Sequence, residues 1–225
     1  MALDMNDSYA NSTDVHIALD KIHAYLNQPN RTLIGLTGGP GSGKSTLADY
    51  LLNYFSRQQN MEVICLSMDG FHLSKAQLNA LPNAEEAFAR RGAPWTFDST
   101  AFIERVKLIK QGYQKDDILW PSFDHAIGDP IEDDITIKKD TKVILIEGLY
   151  LLHQNDGWQA SQPLFDEHWF LDIPVTVAIE RLAKRHMKAW NFNHEQAMDR
   201  INQSDGLNAE LVATYKDQAD WLLRV

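Results

Sequence analysis

Apolar residues recur along this chain in two periods, and their alternation sets the expected fold. Residues 13–27 carry Val15, Ile17, Ala18, Ile22 and Leu26 at roughly helical spacing, with Ser12 or Thr13 as N-cap. The apolar run Thr32-Leu33-Ile34-Gly35-Leu36-Thr37 reads as a buried strand. Glycines follow, and from Ser45 the period turns helical, with Leu47, Leu51, Leu52 and Phe55 on one face. Residues 32–57 therefore predict strand, glycine loop, helix. The alternation repeats: a strand over 62–68, a helix capped by Asp98 or Ser99 and stopped at Gly112, and strands over 142–146 and 168–171. Helices are expected from about Val175 to Trp190 and His194 to Gln203, and a last strand over 221–225. This order predicts an α/β fold with a mainly parallel, doubly covered sheet and ligands at the carboxyl ends of its strands.

Residues 70–135 fit that rhythm less well. Residues 74–91 look helical with a break at Pro82, and 118–137 form an extended excursion around Gly128-Asp129-Pro130. With no repeat and no linker, residues 1–225 are expected to form one domain. Within it, 70–135 is a substrate-binding insertion and about 175–200 a lid.

Composition narrows the partners more than the fold. A formal net charge of −10 argues against a nucleic-acid surface, which needs clustered Lys and Arg. No apolar run approaches the roughly 20 residues that a membrane helix requires. The first fourteen residues are polar and acidic, without the basic and apolar regions of a secretory signal. The single Cys65 forbids a disulfide within the chain and reads as a buried structural thiol. A cytoplasmic protein without membrane or nucleic-acid partners is expected, and a homodimer only as a base-rate expectation.

The segment Gly38-Gly39-Pro40-Gly41-Ser42-Gly43-Lys44-Ser45, followed by Thr46, satisfies the phosphate-loop pattern G-x-x-x-x-G-K-[ST]. Its glycines let backbone N–H groups surround an anion, the helix dipole adds positive potential, Lys44 reaches the outer phosphates, and Ser45 can bind Mg²⁺. The strand Val143-Ile144-Leu145-Ile146 ends in Glu147-Gly148, without the Asp-Glu pair of mechanical ATPases. Asp69, at the end of the second predicted strand, can accept the proton of an acceptor hydroxyl. Glu147 can stand near the metal. Arg181 and Arg185, four residues apart, share a helical face and can stabilise charge on a transferring phosphoryl group. In the insertion Arg91, Trp95, Phe97, Phe123, Asp124 and His125, together with His72, are candidate acceptor-binding residues. The histidines lack metal-ligand spacing.

The combination resembles the uridine kinase, phosphoribulokinase and pantothenate kinase superfamily of P-loop kinases. Its carriers are the phosphate loop through Thr46, Ser67-Met68-Asp69-Gly70-Phe71-His72, and Ile146-Glu147-Gly148-Leu149-Tyr150. Within that group it looks most like the small bacterial kinases labelled fructose-transport-system kinases. Arg91-Gly92-Ala93-Pro94-Trp95-Thr96-Phe97-Asp98 and Phe170-Leu171-Asp172-Ile173-Pro174 support this. The resemblance implies a P-loop three-layer sandwich with a five-stranded parallel core sheet and a helical lid. It also implies ATP and Mg²⁺ as cofactors, Asp69 as catalytic base, Glu147 as metal carboxylate, and Arg181 and Arg185 as lid arginines. Uridine kinases usually read Asp-Ser-Phe-Tyr where this chain has Asp69-Gly70-Phe71-His72. The expected activity is transfer of the γ-phosphoryl group to a hydroxyl of a small metabolite. The alternative is a regulator that binds nucleotide and phosphorylates nothing.

Overall fold

The computed structural model describes residues 5–58 and 62–225; residues 1–4 and 59–61, which the single-domain reading takes in, lie outside them. Along the chain the elements run α1 (Met5–Asn11), α2 (Thr13–Leu26), β1 (Thr32–Thr37), α3 (Lys44–Arg57), β2 (Val63–Ser67), α4 (Lys75–Ala80), α5 (Ala84–Ala89), α6 (Ser99–Gln111), β3 (Ile118–Asp124), β4 (Asp129–Ile137), β5 (Val143–Gly148), β6 (Glu167–Leu171), α7 (Val175–Trp190), α8 (His194–Gln203), α9 (Asp205–Ala213) and β7 (Trp221–Leu223).

Five strands pair in parallel in the order β2-β5-β1-β6-β7. Side chains on a strand alternate between faces, and here both faces are covered. Leu33, Leu66, Ile144, Ile146 and Phe170 point to the side of Phe102, Val106 and Ile109 from α6. Ile34, Leu36, Val143, Leu145 and Trp169 point to the other, against Val15 and Ile22 of α2 and Leu47, Leu51 and Phe55 of α3. All six residues of β1 and of β5 are buried, which is why both read as unbroken apolar runs. The result is the expected three-layer α/β sandwich. Cys65 sits within it as a structural thiol, its Sγ bonded to the Ala48 carbonyl and its pKa pushed up by burial.

The excursion over 118–137 is an antiparallel hairpin, β3–β4, with a bulge between Trp120 and Ser122. Pro82 does divide two short helices, α4 and α5, the first opened by a reciprocal Ser74–Gln77 capping box. Strand ends differ from expectation by a residue or two. Met68 already begins a 3₁₀ turn, while Glu147 and Gly148 stay in the ladder because Leu36, Thr37 and Ser67 pair with them. Two helices were not expected. In α1, Tyr9 supplies the buried contact in an otherwise polar stretch; α9 buries Gly206, Asn208 and Ala209, too small or polar to mark a helical stripe, beside Val212. Among the described residues no helix is long and apolar enough to cross a membrane.

Arg31, just ahead of β1, is 6 % exposed. Its Nε donates to Thr141 O (2.8 Å), Nη1 to Ile109 O (2.6 Å), and Nη2 to Lys138 O (2.9 Å) and Lys139 O (3.0 Å). One planar fork thus satisfies carbonyls from the last turn of α6 and from the β4–β5 connection, joining both to the start of β1. Burial lowers its pKa, but a guanidinium stays charged at working pH. Arg31→Met would strip four carbonyls of their donor, two of them in fully buried hydrogen bonds. It should cost about 3 kcal/mol of unfolding free energy, read as a lower urea midpoint, and Arg31→Lys should recover little of it.

Candidate active site

Strand β5 is hydrogen-bonded to both β1 and β2. Glu147 lies opposite Leu36 on one side and opposite Ser67 on the other. Parallel strands all end on one edge, so the loop after β1, the turn after β2 and the end of β5 emerge together. That edge therefore gathers Gly38–Ser45, Asp69 and Glu147.

The loop's shape demands glycine at two positions for different reasons. Gly41 (φ +75°) and Gly43 (φ +97°) are in the left-handed region, and a Cβ at Gly41 would lie 2.4 Å from the Ala178 carbonyl of α7. Gly43 is the N-cap of α3, and Leu47 N–H donates to its carbonyl (2.9 Å). The open first turn of α3 therefore points into the site, carrying Lys44 and Ser45 at its start.

Glu147 is 6 % exposed. Ser45 Oγ donates to its Oε1 (3.2 Å), and Lys44 Nζ stands 3.9 Å from its Oε2. Burial pushes the Glu147 carboxyl above its usual range; Lys44 pulls it back, Asp69 pushes it further up, and hydrogen bonds with Ser67 and Ser45 favour the anion. A dehydrated carboxylate beside a hydroxyl is an all-oxygen donor set, the kind that suits Mg²⁺.

Asp69 sits in a 3₁₀ turn, Met68–Phe71, whose first N–H groups are capped by Ser67 Oγ (3.2 Å to Asp69 N). Trp120 Nε1 donates to Ser67 O (2.9 Å), and Phe71 packs edge-on against both Phe102 and Trp120. A Cβ on Gly70 would meet Pro121 O at 2.2 Å. The glycine after Asp69 is therefore required by the close passage of β3, with its φ outside the left-handed region.

Lys44, Ser45 and Asp69 line one cleft of about 500 Å³. Its further wall includes His72, Arg91, Phe97, Phe123 and His125 from the insertion. His72 stacks on Phe97 (3.9 Å between ring centroids) and tilts against Phe123 (4.8 Å). Burial lowers the His72 pKa to about 4 despite the nearby Asp69, so the ring is neutral at working pH. His125 is exposed and packs edge-on against Phe123. Arg91 is half spent on structure: it donates to Gly128 O (2.6 Å) and Leu73 O (3.0 Å) and pairs with Asp129 (3.2 Å).

Two expected acceptor residues do not line this cleft. Asp124 Oδ1 accepts from Ala126 N (2.7 Å) and Ile127 N (3.0 Å), closing the tip of the β3–β4 hairpin. Trp95 belongs to the short 3₁₀ turn Pro94–Thr96 and is half-buried away from the cleft lining. The two arginines of α7 also part company. Arg185 lines the cleft and an adjoining hollow of about 290 Å³ along Gly41, Gly43, Lys44, Ser45 and Thr46, whereas Arg181 lines that hollow alone and donates to Ser42 O (2.9 Å). Lys184 is on the solvated face, paired with Glu180 (3.5 Å). Sequence reasoning missed Arg200, Asp205 and Asn208, which complete the cleft from α8 and α9. No local spacing marks them, because they reach the site only where α8 and α9 pack against α7.

The sequence matches the phosphoribulokinase/uridine kinase family over residues 33–225. It is 39 % identical over 189 residues to "Putative uridine kinase C227.14" of Schizosaccharomyces pombe, covering 83 % of this chain and 80 % of that protein. It is 40 % identical over 146 residues to the ATP-dependent kinase-like protein notR' of Aspergillus versicolor, covering 64 % of this chain and 85 % of the relative. Among solved structures, the "putative fructose transport system kinase" of Silicibacter sp. TM1040 superposes with a TM-score of 0.80 at 30 % identity, covering 92 % of this chain and 97 % of that one. The phosphate loop at the head of α3, the parallel sheet and these matches agree: the chain belongs to the phosphoribulokinase/uridine kinase family of P-loop kinases, phosphotransferases that act on an alcohol group.

Proposed function

We propose that the protein transfers the γ-phosphoryl group of MgATP to a hydroxyl of a small metabolite of the sugar, nucleoside, glycerate or pantothenate kind. The observation that carries this reading is that Asp69 shares a single cleft with Lys44 and Ser45. In-line transfer needs the acceptor hydroxyl and the terminal phosphate in one water-poor space.

The loop amides from Gly38 to Ser45, with Lys44, bind the phosphates, and Thr46 borders the same hollow. Ser45 and Glu147 would hold Mg²⁺, which would neutralise charge on the phosphate oxygens. Asp69 accepts the proton of the acceptor hydroxyl. The freed oxygen forms a bond to the γ-phosphorus as the bond to the β,γ-bridging oxygen breaks, and ADP leaves. Arg185, which reaches both the phosphate hollow and the acceptor cleft, is assigned to the charge that develops in transfer. Arg181 is assigned to the phosphate loop itself. His72, Arg91, Phe97, Phe123 and His125 form the acceptor wall within the 70–135 insertion, joined by Arg200, Asp205 and Asn208.

The lid assignment, about 175–200, draws support from packing. Leu182, Ala183, Ala197 and Ile201 form a small cluster of their own, separate from the two main cores. Helices α7 and α8 can thus shift together over the site without opening the sheet, and closure excludes water as a competing acceptor.

The decisive assay is ADP release with a panel of sugars, nucleosides, glycerate and pantothenate. Binding of ATP with no acceptor-dependent ADP would leave a nucleotide-binding regulator instead. With an active acceptor in hand, Asp69→Asn should lower kcat by roughly 10²-fold while ATP affinity stays within about twofold. Arg185→Ala should cut kcat by about 10³-fold. Arg181→Ala should act mainly on the KM for ATP, and steady-state kinetics on both variants separate the two roles.

A further inference from the structure

Two successive carbonyls of the phosphate loop are held from outside by side chains of different helices. Arg181 Nη1 of α7 donates to Ser42 O (2.9 Å), and the Tyr9 hydroxyl of α1 donates to Gly43 O (3.4 Å). A trans peptide unit is planar, so each C=O points away from the N–H that follows it. Anchoring the Ser42 carbonyl therefore aims the Gly43 amide, and anchoring the Gly43 carbonyl aims the Lys44 amide, at the phosphate side of the loop. Gly43 has no side chain and a left-handed φ of +97°, so nothing of its own restrains these two planes. The helical bond from Leu47 N holds the Gly43 carbonyl along the axis of α3, and the Tyr9 hydroxyl adds a second, lateral restraint.

Tyr9 is built for such a task. It is 1 % exposed, and its ring meets Tyr50 of α3 edge-on at 5.4 Å. Burial raises its pKa to about 12, against the opposing pull of Arg181, so the hydroxyl stays a donor at any working pH. Helix α1 is seated through its neighbours: Ser12 Oγ donates to Arg224 O (3.4 Å), and Arg224 N donates to Asp14 Oδ2 (2.7 Å). The stretch shared with the kinase family begins at residue 33, so Tyr9 comes from outside that common core.

We propose that α1 belongs to the nucleotide site, with Tyr9 as a positioning residue that holds the Gly43–Lys44 peptide of the phosphate loop in its triphosphate-binding orientation. The proposal rests on the kinase reading above. It assigns to the N-terminal helix a part in ATP affinity beyond covering the sheet.

The test is calorimetric titration of MgATP into the unaltered protein, Tyr9→Phe and Tyr25→Phe, with melting temperatures alongside. Tyr25 of α2 donates to the Glu167 carboxylate, so its variant disturbs the N-terminal helices without touching the loop. Tyr9→Phe keeps the ring and should fold with a melting temperature within about 2 °C of the unaltered protein. It should bind MgATP about three- to tenfold more weakly, whereas Tyr25→Phe should keep full affinity even if it melts lower. Equal affinity in Tyr9→Phe and the unaltered protein would overturn the proposal, as would an equal loss in Tyr25→Phe. Failure of the unaltered protein to bind MgATP at all would instead sink the kinase reading, and this inference with it.

Discussion

Strand β5 is the shared partner of β1 and β2, and their parallel registers decide where three unlike groups come out of the sheet. Because Glu147 is paired across to both Leu36 and Ser67, the loop that follows Thr37 and the turn that starts at Met68 leave the same edge within a few ångströms of its carboxylate. A slip of one residue in β5 would turn Glu147 to the opposite face and bring an isoleucine or a glycine to the site in its place. The apolar side chains that enforce this register, Val143 and Leu145 toward one core and Ile144 and Ile146 toward the other, touch no substrate. Packing in two layers is thus what aims the chemistry.

The site that results is electrostatically unfinished. Glu147 has been taken out of water, and Lys44 at 3.9 Å with two serine hydroxyls offsets only part of the cost, so its proton affinity remains raised. Asp69 adds negative charge from the neighbouring turn. A divalent cation would supply positive charge that this site lacks, which is the electrostatic ground for proposing Ser45 and Glu147 as its holders.

The further wall of the cleft is assembled from residues between 72 and 125 and from α8 and α9, and the two parts are tied together. Ser204 Oγ donates to Arg91 O (3.4 Å) and Asn208 Nδ2 to Gly92 O (3.0 Å), linking the start of α9 to the loop that carries Arg91. His186 of α7 stands 3.3 Å from Asp205 at the head of α9. Helix α7 is therefore tied through short polar contacts, by way of α9, to the loop that carries Arg91.

The phosphate loop, the five core strands and most helices were legible in the sequence because each is set by a local pattern. The loop needs glycines and Lys44 at fixed spacing, a doubly covered strand needs an unbroken apolar run, and Asp69 and Glu147 are marked by ending such runs. What stayed hidden depends on contacts between residues far apart in the chain. Arg31 looks like a loop charge until four carbonyls from two distant segments close around it, and Tyr9 like part of a polar stretch until α1 lies on the phosphate loop. Asp124 and Trp95 have the right chemistry for a pocket, yet a hairpin tip and a 3₁₀ turn hold them away from it. Arg200 and Asn208 enter for the converse reason. Short-range periodicity therefore determined the elements and the phosphate-binding chemistry; tertiary packing alone decided which polar groups face the cleft, because a side chain's direction depends on neighbours that sequence distance does not reveal.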